Sequence, residues 1–464
     1  MTGIPACRSG RRSWQIVRRL VLALVVLSIA PVRAEAFDIW RSADGDSGVE
    51  LTPSLKLFFF GVAGMLEGPD GYEEVWPVPD VGGGTLGRLR LRLVLDVTSR
   101  IRSVVHYEHR PRVLSSGRLL SSVSAALQGD EEMPFRLHPM VWEIASAPVE
   151  ASSLDDVLGP ASSTFVWEHE IDRLLWTFSL PGGIDITVGR QAIGWGLGRL
   201  WTPLDVFAPM TPTDLDREER RGIDAVRLSL SMSQSSMMEV VLVGGREETE
   251  DGEYEVTWDA SALAWLLRVN VWDIDWMLMA GRVGPDRVIG AAVDGQVRGV
   301  GLRGEVAMTM DEERDRWVQA TVGCELGTSF NLTAVVEYHY NGFGTLDTDD
   351  YVSRATRMAS RMAAGRLSNL GQHYLGATLA WMPGSWGGIS LVYIQNLHDG
   401  SLLLGPSLEY AISDEVRLSV VALVPIGADP VWTTDPETGV PELVAHSELG
   451  MAAQMYVISI RASI

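Results

Sequence analysis

A transmembrane antiparallel β-barrel of about 18 strands is the fold class this sequence predicts. Three observations predict it. Apolar and polar residues alternate with a period of two in stretch after stretch. The connections between those stretches alternate between short and long. Beyond Ala30 there is no apolar run of the roughly 18 residues that a membrane helix needs, so any bilayer crossing would fall to strands.

The composition narrows the classes. The chain has 464 residues, with 60 Asp and Glu against 38 Lys and Arg, a formal net charge of −22. With 46% apolar and 21% charged residues it has the means to bury a core, unlike a disordered chain. Such an acidic chain is a poor nucleic-acid binder, because phosphate contacts need clustered cations. Two cysteines, Cys7 and Cys324, make no disulfide scaffold, and no Cys/His spacing suggests zinc. No metal or other cofactor is expected.

The first segment is an address. Arg8, Arg11, Arg12, Arg18 and Arg19 precede an apolar core over 20–30, and Ala34-Glu35-Ala36 forms a small-x-small cleavage site. We read 1–36 as a cleavable secretory signal peptide and 37–464 as a single barrel domain. Cleavage removes Cys7 and leaves Cys324 without an internal partner.

The strands follow. Leu89, Leu91, Leu93, Leu95 and Val97 alternate with Arg88, Arg90, Arg92, Val94 and Asp96. The same pattern runs through Val318, Val322, Cys324 and Leu326, through Val416, Leu418, Val420 and Val424, and through Tyr456, Ile458, Ile460 and Ile464. Each reads as a strand with one apolar face. Links on one side are short: 98–100, 181–183, 233–236, 272–273, 297–299, 327–329, 383–387 and 413–415. Links on the other are mostly long: 64–87, 110–163, 196–222, 244–256, 311–316, 342–370 and 426–444, with brief ones at 284–286 and 398–401. Short turns at one end and long loops at the other are what a membrane barrel requires, and a soluble sandwich has no reason to segregate its links. In lipid a sheet cannot keep an open edge, so it closes.

Parity then assigns the faces. Trp265, Trp276, Tyr338, Tyr340, Trp381 and Tyr393 fall outward, where aromatic girdles belong. Arg88, Arg90, Arg92, Arg102, Arg173, Arg227, Arg268, Arg303, Arg417, Arg461 and the one lysine, Lys56, fall inward. So do Asp96, Glu108, Glu239, Asp275, Glu305, Glu325, Glu337 and Glu409. Burying such groups dry and unpaired is prohibitive, so the interior holds water or an internal charge network. Acid concentrates in the long links, as in Glu247-Glu248-Thr249-Glu250-Asp251-Gly252-Glu253. That reads first as a solvated rim and second as a site of cation bridging to lipopolysaccharide. No link has calcium-loop spacing.

The segment 189–222 stands apart, dense in Gly and Pro. Thr211 fits an N-cap, Pro212 N1, Asp214 N3, and Gly222 C′ of a short helix. The choice is between an ordered external lid and a loop folded into the bore; 196–222 is the candidate constriction. In the second case Asp205, Asp214, Asp216, Glu218 and Glu219 would face the arginines across water. Arg88, Arg90 and Arg92, about 7 Å apart in steps on one strand face, with Arg102 beside them, would form a cationic ladder. Arg173, Arg227 and Arg303 would extend it.

The block Gly189-Arg190-Gln191 through Trp195-Gly196, with Pro203, Asp205-Val206-Phe207, Pro209 and Pro212-Thr213-Asp214, resembles one in poorly characterised outer-membrane porin-like proteins. These are similar to the 18-stranded alginate-export and substrate-specific porin class. Glu337-Tyr338-His339-Tyr340-Asn341-Gly342-Phe343-Gly344 and Gln395-Asn396-Leu397-His398-Asp399-Gly400-Ser401 carry the same resemblance. It implies an outer-membrane barrel with an internal constriction that passes small polar or anionic solutes. One departure is the C-terminal Ile464, where such barrels commonly end in Phe or Trp. The partners implied are outer-membrane lipid and lipopolysaccharide, the barrel-assembly machinery and those solutes; a homo-oligomer is compatible with the reading.

Enzymes fit worse. His446-Ser447 are strand neighbours that point to opposite faces, His106, His169, His339 and His373 lie on separate strands, and no phosphate-binding glycine motif is complete. The expectation is therefore a channel and not an enzyme, with a plugged structural or adhesive barrel as the alternative.

Overall fold

The computed structural model describes residues 37–43, 45–64, 81–114, 164–210, 220–248, 254–311, 315–358, 361–362, 365–434 and 441–463. Eighteen antiparallel strands close into one barrel. They are β2 (Gly48–Ala63), β3 (Val81–Thr98), β4 (Ile101–Leu114), β5 (Thr164–Leu180), β6 (Ile184–Gln191), β7 (Ile223–Ser231) and β8 (Met237–Val243). After these come β11 (Ala262–Val271), β12 (Ile274–Val283), β13 (Asp286–Val297), β14 (Val300–Met310), β15 (Arg316–Gly327), β16 (Leu332–Asn341) and β17 (His373–Gly384). The last are β18 (Gly387–Asn396), β19 (Leu402–Ala411), β20 (Val416–Ile426) and β23 (Gln454–Ser463). Neighbours in sequence pair in space, and β23 pairs with β2 from Ser54↔Ser463 to Ala63↔Gln454, which shuts the sheet. The leading β1 (Phe37–Arg41) pairs with the start of β2, beyond the point where β23 ends.

The period of two decides this. Every strand offers one row of side chains outward and one inward, and a closed ring satisfies all backbone donors without an edge. The exposed apolar residues Trp276, Leu278, Ile289, Val306, Val322, Val336, Leu379, Leu391, Leu408 and Ile458 all share the outward parity. Register is fixed at the short-turn end by tight hairpins. The β11–β12 turn holds Trp272 and Asp273 at φ 57° and 60°, and the β13–β14 turn holds Arg298 and Gly299 at 53° and 85°. Positive φ at both central residues is the turn whose twist suits a hairpin.

The long links begin and end differently from expectation. β3 starts at Val81, before the 64–87 link was expected to finish, because the Gly82-Gly83-Gly84 stretch continues the ladder against β2. The link from β8 to β11 carries a small hairpin, β9 (Arg246–Glu248) with β10 (Tyr254–Val256). The link from β20 to β23 carries another, β21 (Val431–Thr434) with β22 (Pro441–Val444). Residues 343–372 hold a short helix, α1 (Tyr351–Arg357). The proposed helix caps Thr211, Pro212 and Asp214 lie outside the described residues, and 220–222 have no regular structure.

The inner face departs from a uniformly polar lumen. Across β7–β14 it carries, between Glu239, Asp286, Arg303 and Glu305, an apolar patch of buried Ala225, Val241, Ala264, Leu266, Met277, Met279, Val288, Ala292 and Ala307. An apolar patch on the inner face needs a cover, and the link after β6 supplies it.

Cys324 tests the register directly. It is exposed and shares the outward row with Val322 and Leu326. In membranes, an apolar maleimide labels Cys324 and a bulky charged one does not. Rapid labelling by the charged reagent would mean a one-residue slip of β15, which turns every side chain to the other face.

Candidate functional site

The chain leaves β6 and turns into the barrel. Ile193, Trp195, Leu204 and Val206 pack on the apolar inner wall of β7–β14, and Leu200 and Trp201 pack on Tyr374, Ile394 and the inner residues of the closing strands. Glycines on the wall make room: a Cβ at Gly290 would meet Leu204, and one at Gly376 would meet Leu200 and Trp201.

Carboxylates of the wall hold this segment by its backbone. Glu305 on β14 accepts from the amides of Leu197, Gly198 and Leu204. Glu337 on β16, fully buried, accepts from Arg199 at 2.7 Å and Leu200 at 2.8 Å, with Trp201 N at 3.5 Å. Glu239 on β8 accepts from Trp195 Nε1 at 2.8 Å. Trp201 stacks on His339 with ring centroids 5.1 Å apart and donates Nε1 to Asn369 at 2.9 Å. An amide-to-carboxylate bond is charge-assisted, so two or three per carboxylate make a firm clasp. The segment 192–210 is therefore fixed across the inner wall from β6 to β17.

Other long links join it at the same end. Asp286 on β13 binds Arg361 at 2.8 Å and Arg366 at 2.9 Å. Glu448 accepts from Leu370 N at 2.8 Å, from Asn396 at 3.0 Å and from Tyr374 Oη, while Asp399 accepts from Tyr351 Oη at 2.9 Å and Glu448 N at 2.8 Å. Between the 200–210 and 361–369 segments lies a cavity of about 60 Å³, lined by Trp201, Asp286, His339, Asn341 and Asn369 among others. That holds a few waters, not a solute of sugar size.

The sequence-derived site residues separate into two groups. Arg88, Arg90 and Arg92 do stand on one inward face, but Arg88 and Arg90 are parts of a buried charge network. Glu108, fully buried, binds Arg90 and Arg110 and lies 3.6 Å from Arg88. Asp172 binds Arg173 at 2.8 Å and lies 3.4 Å from Arg90, and Glu170 binds Arg110 at 2.6 Å. Arg102 pairs with Asp96 at 2.6 Å, Arg303 with Glu325 at 2.5 Å, and Arg227 lies 3.8 Å from Glu239. Arg92 is likewise loosely held, 3.7 Å from Glu50, and its side chain is 46% exposed.

The loop acids differ from expectation. Asp205 does not look across water at the arginines. It is buried within its own loop, where it binds Arg220 and accepts from Trp195 N at 2.9 Å. Burial pushes its carboxyl up from the ordinary range, against the pull of Arg220. Asp214, Asp216, Glu218 and Glu219 lie outside the described residues.

Several members were not foreseen. Asp172 lies in a β-bulge where β5 shifts register against β4 between His106 and Tyr107. The bulge sets Asp172 and Arg173 both inward and slips the phase of β5, so that Ile171 before it and Leu174 after it both face outward. Arg110 fell in the expected 110–163 link, whereas β4 runs on to Leu114 and turns it inward with Glu108; Glu170, two residues before Asp172, is inward through the same bulge.

No family model matches the sequence, and no curated protein matches it. Among solved structures, Acinetobacter baumannii OccAB1 aligns with a TM-score of 0.51 at 8% identity, over 93% of this chain and 99% of that one. Acinetobacter baumannii OccAB2 aligns with 0.49 at 8% identity, over 91% and 98%. Pseudomonas aeruginosa OccK5 (OpdH) aligns with 0.46 at 7% identity, over 89% and 98%. The likeness to OccAB1 is one of fold.

Proposed function

We propose that this chain is an outer-membrane channel for small polar solutes, narrowed by the 192–210 segment. One observation carries the reading. Inward-facing charged side chains toward the short-turn end stay half-open to solvent within a closed ring whose outer face is apolar. Arg92 is 46% exposed, Arg102 60% and Arg417 56%, and Glu409 opposite Arg417 is 37% exposed. Charges placed so inside a barrel need water around them. A passage lined by ions and narrowed by a clasped loop admits polar solutes and excludes apolar ones.

The finer part of the proposal is a preference for anions, carried by Arg92. In bilayers the purified protein gives steady single-channel steps, and Arg92→Ala lowers anion over cation permeability, read as a reversal potential under a salt gradient. Unchanged selectivity in a folded, conducting variant would remove the anion preference. A second reading, a plugged structural barrel, is favoured by the burial of Arg90, Glu108 and Glu337; a silent bilayer would select it.

Orientation follows from the links. With long links outward, a tag at Asp349 is labelled on intact cells and one at Gln234 is not. Labelling at Gln234 would invert the assignment.

A further inference from the structure

We infer that Arg282, Arg287 and Arg316 form a docking site on the outer wall for the phosphorylated headgroup of a membrane lipid. The inference rests on the membrane location proposed above, not on conduction.

The register brings the three together. Arg282 on β12 pairs with Arg287 on β13, Arg287 pairs with Met310 on β14, and Met310 pairs with Arg316 on β15. They form one outward row at the long-link end, beside the 284–285 and 311–315 connections. Neighbouring strands are about 4.8 Å apart, so the row spans roughly 15 Å. Asp259 answers the charge of Arg282, and the charges of Arg287 and Arg316 add to the row unless a further anion lies against them.

Their partners differ. Arg282 is held in place: it donates to Asp259 at 2.6 Å and to the Trp258 carbonyl at 2.6 Å, with its guanidinium 5.2 Å from the Trp258 ring. Arg287 and Arg316 are exposed and make no hydrogen bond or ion pair among the described residues. Of the acids nearby, Asp259 is committed to Arg282. Asp311 turns to Trp317 Nε1 at 3.2 Å and to the Asp315 amide at 2.9 Å. Asp315 sits at the edge of the row, and 312–314 lie outside the described residues.

The wall below the row says what carries the anion. The next outward row is Ala280, Ile289, Met308 and Val318, and the one after is Leu278, Ala291, Val306 and Ala320. Leu278, Ile289, Val306 and Val318 are exposed. Ala280, Ala291, Ala320 and Gly304 keep the strip shallow. A cationic row directly above an exposed apolar strip has the polarity of a lipid, phosphate above and acyl chains below. Guanidinium forks match phosphate oxygens two at a time, and all three cations are arginine.

The test uses the purified full barrel in detergent and native mass spectrometry, with two probes: a diphosphorylated lipid A and the same lipid A stripped of phosphate. The wild type retains the phosphorylated probe at least tenfold more tightly. The double variant Arg287→Ala/Arg316→Ala loses that tenfold preference, and Arg287→Lys/Arg316→Lys keeps part of it. Both side chains are exposed, so heat-modifiability on gels stays as in the wild type and marks the variants as folded. Equal retention of the two probes by the wild type, or unchanged preference in the alanine variant, would overturn the inference. So would inorganic phosphate displacing the lipid at equal concentration, which would make the row a site for any anion. Lost preference with a silent bilayer removes the channel reading and keeps this one; an unchanged preference in a conducting variant does the reverse.

Discussion

Replacing Glu305 and Glu337 together by alanine raises the single-channel conductance several-fold and makes it noisy. The two carboxylates accept from the amides of Leu197, Gly198, Leu204, Arg199 and Leu200, with Trp201 N at the edge of reach. Hydrogen bonds to charged groups contribute about 1.5–3 kcal/mol each. Their loss removes the polar clasp and leaves the 192–210 segment held by apolar contacts of Trp195, Leu200 and Leu204. The ring of strands keeps its backbone ladder, so the barrel stays folded. Bilayer recordings check the conductance, and heat-modifiability on gels checks the fold. A folded double variant with unchanged conductance would show that this segment does not limit the passage.

Glu108→Ala destabilises the barrel far more than any single change at the half-open charges. Glu108 is the carboxylate that Arg88, Arg90 and Arg110 share in a buried setting. Removing one partner from a buried ion pair costs about 3–5 kcal/mol, because the other charge is left behind. The gel-shift transition moves to markedly lower temperature for Glu108→Ala, while Arg102→Ala, at an exposed pair, moves it little. Arg90→Ala behaves like Glu108→Ala and so is no test of ion selectivity; Arg92→Ala is. A Glu108→Ala barrel with the wild-type transition would refute the account of the β3–β5 network.

Much of this molecule is local and therefore visible in the sequence. Alternation of side chains along a strand is set by the backbone itself, so Arg88, Arg303 and Glu337 are inward and Trp276 and Cys324 outward by parity alone. The segregation of short and long links is likewise a property of sequence order, and it points to the closed barrel. The tertiary structure decided what parity cannot carry. The bulge at Asp172 is one such thing: the apolar phase of β5 slips from Ile171 to Leu174 across Asp172-Arg173, but that the slip falls between His106 and Tyr107 of β4 is seen only in the register. Glu305 reaches the Leu197 amide across 108 residues of chain, and Glu337 reaches Arg199 across 138. Parity marks both as inward acids and says nothing of what they hold. Asp205 faces inward to Arg220 instead of outward to the arginine row because, once the loop packs on Leu266 and Met279, its carboxylate is buried and takes the nearest cation. Strand faces come from covalent geometry repeated every two residues, whereas the choice of partner across the lumen comes from burial, which exists only after the ring has closed.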